Sequence, residues 1–182
     1  TRGKHVECIH EVKCLIKNMK NEIIFSTNNM QDVIFPRSSI KIFQSLPFII
    51  SNGGDYFNLN SKQIALSCSS HCGEKFHINE LDKWFKKTNL KLSNLKCGIH
   101  NPLDKLVSEK LFISGKKPNQ LYNNCAGKHL GMLSNCLIKK YPINNYLEFQ
   151  HPHQESIRKI FSEFTCSKII KKNYGVDGCS AP

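Results

Sequence analysis

The stretch SSIKIFQSLPFII, residues 38–50, is the segment around which the rest of the chain is organised. Within it, apolar residues recur every three or four positions, at Ile40, Phe43 and Phe48, which is the period of a helix. Pro47 has no amide hydrogen to donate, so we expect it to bend or break that helix. Strand-like patterns precede this stretch and helical patterns follow it.

Upstream, the apolar pattern has the period of a β-strand. Residues 5–16 alternate between apolar or small residues and polar ones, and a second short apolar run covers residues 22–26. A polar turn at residues 18–21 separates the two runs. This arrangement predicts a β-hairpin.

Downstream, the sequence predicts four further helices and one more strand. Asn60 and Ser61 are suited to cap a short helix that ends near Cys68. The other predicted helices cover the apolar stripe Ile78, Leu81, Trp84 and Phe85, residues 127–140, and residues 152–164. A last strand is predicted over residues 168–174. Strands at both ends of a helical middle indicate a mixed α+β or α/β fold with a sheet that is incomplete in this chain.

Size and composition indicate one globular domain. The chain has 182 residues, of which 40% are hydrophobic, and this is enough for one sizeable core. We find no separate linker, so residues 1–182 are interpreted as part of a single domain. No apolar run reaches the roughly twenty residues that a membrane-spanning helix needs, and we therefore expect no membrane association.

The net charge of +12 raises the question of nucleic-acid binding. Of the 26 basic residues only three are arginine, and the lysines are scattered along the chain instead of clustered. A basic zinc-binding nucleic-acid module is therefore the weaker alternative, and we expect no nucleic-acid partner. The nine cysteines are an odd number without regular spacing, and no secretion signal is visible. These features favour a reducing compartment, and we predict a cytoplasmic location.

Ser38 and Lys41 form a Ser-x-x-Lys motif. Residues three apart share a helix face, so a neutral lysine amine is able to take the proton of the serine hydroxyl. The same spacing occurs at residues 93/96, 114/117 and 156/159, and spacing alone does not single out a nucleophile. The context of Ser38 favours it as the nucleophile, because Ser38 follows Pro36 and precedes the most apolar predicted helix.

Three other segments carry reactive side chains: residues 67–74, 123–129 and 175–182. The first also suits a serine-rich helix end. Cys125 and Cys179 are flanked by glycine and polar residues, and with His129 or Asp177 they would suffice for a zinc site. They lack the paired spacing typical of zinc fingers, so the residues alone leave this open.

Taken in order, these segments form seven blocks that resemble the Rhizobium etli-type L-asparaginase II family, also called class 3 asparaginases. The blocks run from Arg2-Gly3 to the C-terminal turn and cover essentially the whole chain. They are Arg2-Gly3 with Val6-Glu7 and His10, Arg37-Ser38-Ser39-x-Lys41 with Phe43-Gln44-x-Leu46-Pro47, Ser70-His71-x-Gly73-Glu74 with His77, Cys97-Gly98-x-His100-x-Pro102, Asn123 to His129 with Gly131-Met132, His151-Pro152 with Gln154, and Gly175 to Pro182.

The resemblance implies an amidohydrolase that converts L-asparagine to L-aspartate and ammonia, on a fold similar to serine β-lactamases and serine-dependent glutaminases. It implies Ser38 as the nucleophile, Lys41 as its base and Ser70 as the serine of a second Ser-Lys pair. It also implies one zinc ion bound by Cys125, Lys128 and Cys179. The polar residues that it places in the same pocket are Arg37, His129 and Asp177.

The resemblance also implies a homodimer, and a lysine partner for Ser70 that lies C-terminal to residue 182. We therefore expect the chain to be a fragment, which on its own would be inactive and poorly folded. The alternative function is a non-catalytic remnant of such an enzyme.

Overall fold

A computed structural model describes residues 2–27, 36–171 and 174–175 of the chain. The chain divides into two compact units, residues 1–34 and residues 35–182. Each unit is described separately below.

The first unit contains a short β-hairpin. Strand β1 (Leu15–Lys17) pairs antiparallel with β2 (Ile23–Ser26), and a register shift falls between Ile16 and Lys17. Asn18 holds the turn, since its side-chain oxygen accepts hydrogen bonds from the amides of Lys20 and Glu22. The predicted hairpin is confirmed here.

The predicted first strand is nevertheless too long. Among residues 5–14 only His5 takes part in a bridge, an isolated one to Arg2. The apolar side of the alternation is exposed, with Val6 66% and Val12 62% accessible. Alternation indicates a strand only where one face is buried, and these side chains bury none.

The second unit is helical over the residues that the structure describes. Short 3-10 turns lie at Arg37–Ile40, Leu92–Asn94 and Gln120–Tyr122. The α-helices are α1 (Lys41–Ile50), α2 (Gly53–Tyr56), α3 (Ser61–Ser67), α4 (Lys75–Lys86), α5 (Lys105–Ile113), α6 (Ala126–Lys139) and α7 (Pro152–Thr165). Together with the hairpin they confirm the α+β class. None of these helices is long and apolar enough to cross a membrane.

Local capping signals place two of the predicted helices well. The Asn60 side chain accepts from the Gln63 amide, and the Gln63 side chain accepts from the Asn60 amide, which is a complete capping box for α3. Pro152 occupies the first turn of α7, where a missing amide hydrogen costs nothing. Pro47, in contrast, does not break α1, because the helix continues through it to Ile50.

Helix α6 is the centre of the second unit. Every residue from Ala126 to Cys136 is buried, and the helix packs against α1, α3, α4 and α7. Phe48 and Trp84 stack beside it with ring centroids 5.4 Å apart. Gly127 allows α3 to approach, since a Cβ at that position would lie 2.1 Å from the Leu66 carbonyl oxygen.

Two predictions from periodicity differ from the structure. Helices α2 and α5 were not predicted. The apolar residues of α5 are spread around the helix instead of forming one stripe, and none of them is buried. The strand predicted over residues 168–174 is not formed at residues 168–171, where only Ile169 is buried and the backbone has no strand partner. Residues 172–173 lie outside the described part.

Candidate active site

Three side chains from separate segments form a continuous hydrogen-bonded chain. Ser38 lies in the 3-10 turn before α1, Lys41 is the first residue of α1, and Ser70 lies in the loop between α3 and α4. The Lys41 amine donates to the Ser70 hydroxyl, and the Ser70 hydroxyl donates to Ser38 Oγ at 2.9 Å. We call these three residues the hydroxyl cluster.

The two ends of the hydroxyl cluster differ in exposure. Lys41 is only 1% accessible, and its amine also lies 3.4 Å from the Ser69 carbonyl oxygen. Ser38 and Ser70 are exposed. A buried amine joined to an exposed hydroxyl is the arrangement that a lysine base and a serine nucleophile require.

The residues beside Ser38 have different surroundings. Arg37 is exposed and has a positive φ of 50°, which is uncommon for a residue with a side chain. The Ser39 hydroxyl donates to the Pro36 carbonyl at 2.6 Å. Ser39 therefore bonds its own turn, whereas Ser38 faces Ser70.

The loop that carries Ser70 is held by two of the segments singled out in the sequence. The amide of His71 donates to the Asn124 carbonyl at 3.3 Å, and the amide of Asp104 donates to the Cys72 carbonyl at 2.8 Å. Gly73 has a φ of +84°, and a Cβ there would lie 3.0 Å from Pro102. The structure thus brings residues 67–74, 97–102 and 123–129 together.

His71 is a buried imidazole next to Ser70. Burial lowers its pKa to about 4, and the charges of His77 and Lys41 act in the same direction. Both ring nitrogens are buried without a hydrogen-bond partner among the described residues. At neutral pH His71 is therefore neutral, and its ring stacks on His77 with centroids 5.3 Å apart.

The segment 123–129 forms the start of α6. Cys125 is the N-cap residue and is half-buried, while Lys128 and His129 are each 1% accessible. His129 Nδ1 lies 2.6 Å from the Tyr146 hydroxyl. His129 is thus in the interior of the unit. The other two residues expected nearby, Asp177 and Cys179, lie outside the described residues.

The structure also brings together a group that sequence reasoning missed. Cys72, Glu74 and His77 each offer a ligand atom, and these atoms lie within 4.8 Å of one another. The Cys72 thiol donates to the Glu74 carboxylate at 3.1 Å, which raises the pKa of the thiol. Burial lowers the pKa of His77. The spacing Cys-x-Glu-x-x-His at a predicted helix start was the available signal.

Comparison with known proteins adds the family. None of the curated proteins compared with the chain matches it significantly. The family described as L-asparaginase II matches residues 1–182, which is the whole chain. The blocks in which the hydroxyl cluster lies are thus part of a match that extends from end to end, and the chain belongs to the L-asparaginase II family of amidohydrolases.

Proposed function

We propose that the chain hydrolyses the side-chain amide of L-asparagine to give L-aspartate and ammonia, with Ser38 as the nucleophile. One observation carries the proposal: the Ser38 hydroxyl is linked through Ser70 to the buried amine of Lys41. Family membership supports the reaction class, and the hydroxyl cluster supports the choice of residues.

The geometry favours a relay in which Ser70 lies between nucleophile and base. With Lys41 neutral, the two hydrogen bonds run the other way, so that Ser38 donates to Ser70 and Ser70 donates to the Lys41 amine. Lys41 then takes the proton of Ser70 as Ser70 takes the proton of Ser38. The Ser38 oxygen then attacks the amide carbon and forms a tetrahedral intermediate. When the carbon–nitrogen bond breaks, the proton held by Lys41 passes to the leaving nitrogen and ammonia departs.

The second half of the reaction uses the same groups in reverse. Water attacks the β-aspartyl ester on Ser38 and loses a proton toward Lys41, and the ester bond breaks. Ser38 regains its proton through Ser70, and L-aspartate is released. This relay gives Ser70 a role with Lys41 itself, in addition to the second Ser-Lys pair implied by the resemblance.

The proposed zinc ligands are Cys125, Lys128 and Cys179. Within the described part, the donor set is supported by the spacing of Cys125, the N-cap residue of α6, and Lys128 in its first turn, since side chains three residues apart lie on the same side of a helix start. Zinc bound there would supply a positive charge that positions the substrate or holds two loops together. Lys128 must lose a proton to bind it.

Arg37, His129 and Asp177 are the proposed pocket residues. Discrimination between asparagine and glutamine depends on the pocket, since one methylene is worth about 1–3 kcal/mol. We further propose a homodimer and a cytoplasmic location. A non-catalytic remnant is the alternative function, and it is favoured if the parent protein releases no ammonia from L-asparagine.

Replacing Ser38 tests the proposal directly. In protein expressed from its full reading frame, we expect Ser38→Ala to abolish ammonia release, because no neighbouring group replaces the ester-forming oxygen. Ser39→Ala is the matched control and should retain most activity, since the Ser39 hydroxyl bonds only its own turn. Equal activity of Ser38→Ala and the parent in a coupled ammonia assay would refute the assignment.

A further inference from the structure

We propose that Cys72, Glu74 and His77 form a second metal site, which binds a divalent transition metal of the zinc type. It is separate from the ligands Cys125, Lys128 and Cys179 proposed above, and it does not depend on the hydrolytic reaction. We call these three residues the Cys-Glu-His cluster.

The start of α4 explains why the three side chains converge. Glu74 is the N-cap residue and His77 is the third residue of the helix, and side chains at these two positions face each other in helix capping. The Glu74 carboxylate makes no capping bond to the helix backbone. It accepts a hydrogen bond from Cys72 instead.

The distances suit a metal ion of this size. Zinc bonds sulfur at about 2.3 Å and nitrogen or oxygen at about 2.0–2.2 Å, so tetrahedral ligand atoms lie about 3.3–3.7 Å apart. The sulfur and the Glu74 oxygen are already 3.1 Å apart, and all three ligand atoms lie within 4.8 Å of one another. Shifts of about 1 Å or less close the site.

An imidazole nitrogen without a partner points to a missing ligand. His77 Nδ1 is buried and has no hydrogen-bond partner among the described residues. The His71 ring stacks on His77 with centroids 5.3 Å apart, and the Phe76 ring lies tilted against it at 3.8 Å, so His77 is held between two rings. A ring held in this way is ordered before any ligand binds, which lowers the entropy cost of binding.

The donor types select the metal. A thiolate favours zinc and similar borderline ions over magnesium or calcium, and imidazole suits the same group. One thiolate and one carboxylate balance the two charges of the ion. Binding displaces the thiol proton, which now lies between Cys72 and Glu74, to solvent. Three protein ligands leave one position for water.

The position of the Cys-Glu-His cluster gives it a structural consequence. Cys72 follows Ser70 by two residues, and its carbonyl is held by the Asp104 amide. A metal that joins Cys72 to the start of α4 would therefore fix the loop that carries Ser70. We expect slower amide exchange at residues 69–72 when the site is filled.

Cobalt titration tests the site with a spectroscopic readout. Thiolate-bound cobalt(II) gives a near-ultraviolet charge-transfer band, and the double substitution Cys125→Ser with Cys179→Ser removes both thiolates of the other proposed site. In that background we expect about one cobalt-thiolate centre, and Cys72→Ser in addition should abolish the band. Cys68→Ser is the control, because its half-buried thiol lies outside the Cys-Glu-His cluster and should leave the band unchanged.

Two further variants keep the test independent of folding. Glu74→Gln and His77→Gln retain size and should weaken zinc binding at least ~100-fold in competition with a chromophoric chelator, while circular dichroism stays at the parent level. The proposal is overturned if the background with Cys125→Ser and Cys179→Ser shows no thiolate band. It is equally overturned if the band survives Cys72→Ser, or if all three substitutions leave zinc affinity unchanged.

Discussion

The hydroxyl cluster and the buried polar residues of α6, His129 and Asn135, both place polar side chains close together, but their surroundings differ. In the hydroxyl cluster, Ser38 and Ser70 are exposed and come from a 3-10 turn and a loop. On α6, His129 and Asn135 are each 1% accessible, and they bond Tyr146 and His153 from the segment that follows. The hydroxyl cluster is open to solvent at Ser38 and Ser70, whereas His129 and Asn135 lie in the core.

The difference in exposure distinguishes polar groups that hydrogen-bond within the core from polar groups that a substrate is able to reach. A buried polar atom costs stability unless it is hydrogen-bonded, so the hydrogen bonds from His129 to Tyr146 and from Asn135 to His153 help to hold α6 against the segment that follows it. The hydroxyl cluster has only Lys41 buried, and its exposed end is open to a substrate. We therefore expect substitutions in the hydroxyl cluster to change turnover, and substitutions of Asn135 and His153 to change stability.

Replacing Ser70 gives the largest effect expected from this comparison. Ser70→Ala removes the hydroxyl between Ser38 and Lys41, and we expect kcat to fall by about 10²–10⁴, the usual contribution of a positioned proton-transfer group. KM should change little, and the unfolding midpoint should fall only modestly, because Ser70 is exposed and the Lys41 amine keeps the Ser69 carbonyl as a partner. Steady-state ammonia release and a thermal melt measure the two quantities.

Ser69→Ala is the matched control for Ser70. Ser69 contacts the Lys41 amine through its backbone carbonyl, which alanine keeps. The Ser69 variant should therefore retain near-parent kcat. A Ser70→Ala enzyme with parent kcat would mean that Lys41 acts on Ser38 without a relay.

The same comparison shows which parts of the fold the sequence specifies locally. The start of α3 was predictable because Asn60 and Gln63 carry the capping box within four residues. Helix α5 was not, because its apolar residues are spread around the helix instead of forming one stripe, and none of them is buried. The long strand expected before Leu15 failed for a related reason, since alternation cannot show whether a partner strand exists.

The candidate site also contains contacts that follow from local sequence and contacts that do not. Ser38 and Lys41 are three residues apart, so their proximity follows from local structure. Ser70 reaches them because α3 and the following loop pack near α1, and only the resemblance to a family suggested that contact. The Cys-Glu-His cluster depends on the turn of Glu74 toward Cys72 instead of the helix backbone, and a side-chain orientation of this kind is not encoded in spacing.

Gly127 tests the structural side of the comparison, because it sets the distance between α6 and α3. A Cβ at Gly127 would lie 2.1 Å from the Leu66 carbonyl oxygen, which is backbone and cannot move aside. We expect Gly127→Ala to lower the free energy of unfolding by about 3 kcal/mol, as overpacking does. Urea denaturation measures the loss.

Gly131→Ala is the control on the same helix. Its Cβ would meet the Ser67 Cβ at 3.3 Å, a tight contact with a side chain. Alanine also gains about 1 kcal/mol of helix propensity over glycine, so the net change should be small. If both variants unfold at the same urea concentration, α3 does not approach Gly127 too closely for an alanine methyl group to fit.

Acid should weaken the packing of α6 against α7 through His153, the α7 residue that bonds Asn135 of α6. Burial lowers the pKa of His153 to about 3, and the charge of His151 adds to the effect. Asn135 Nδ2 donates to His153 Nδ1 at 2.8 Å, so this nitrogen accepts and the ring is neutral. The unfolded chain binds a proton near pH 6.5, and the stability is therefore complete above that pH and is lost as the pH falls toward 3.

The expected loss at pH 5 is about 2 kcal/mol, from one and a half pH units below the unfolded pKa. His153→Gln keeps an amide able to bond Asn135 but does not titrate, so its stability should decline less between pH 6.5 and 4. The difference between parent and variant in urea midpoints across this range isolates His153 from the other histidines. Parallel declines would show that protonation of His153 does not control the acid stability of this part of the fold.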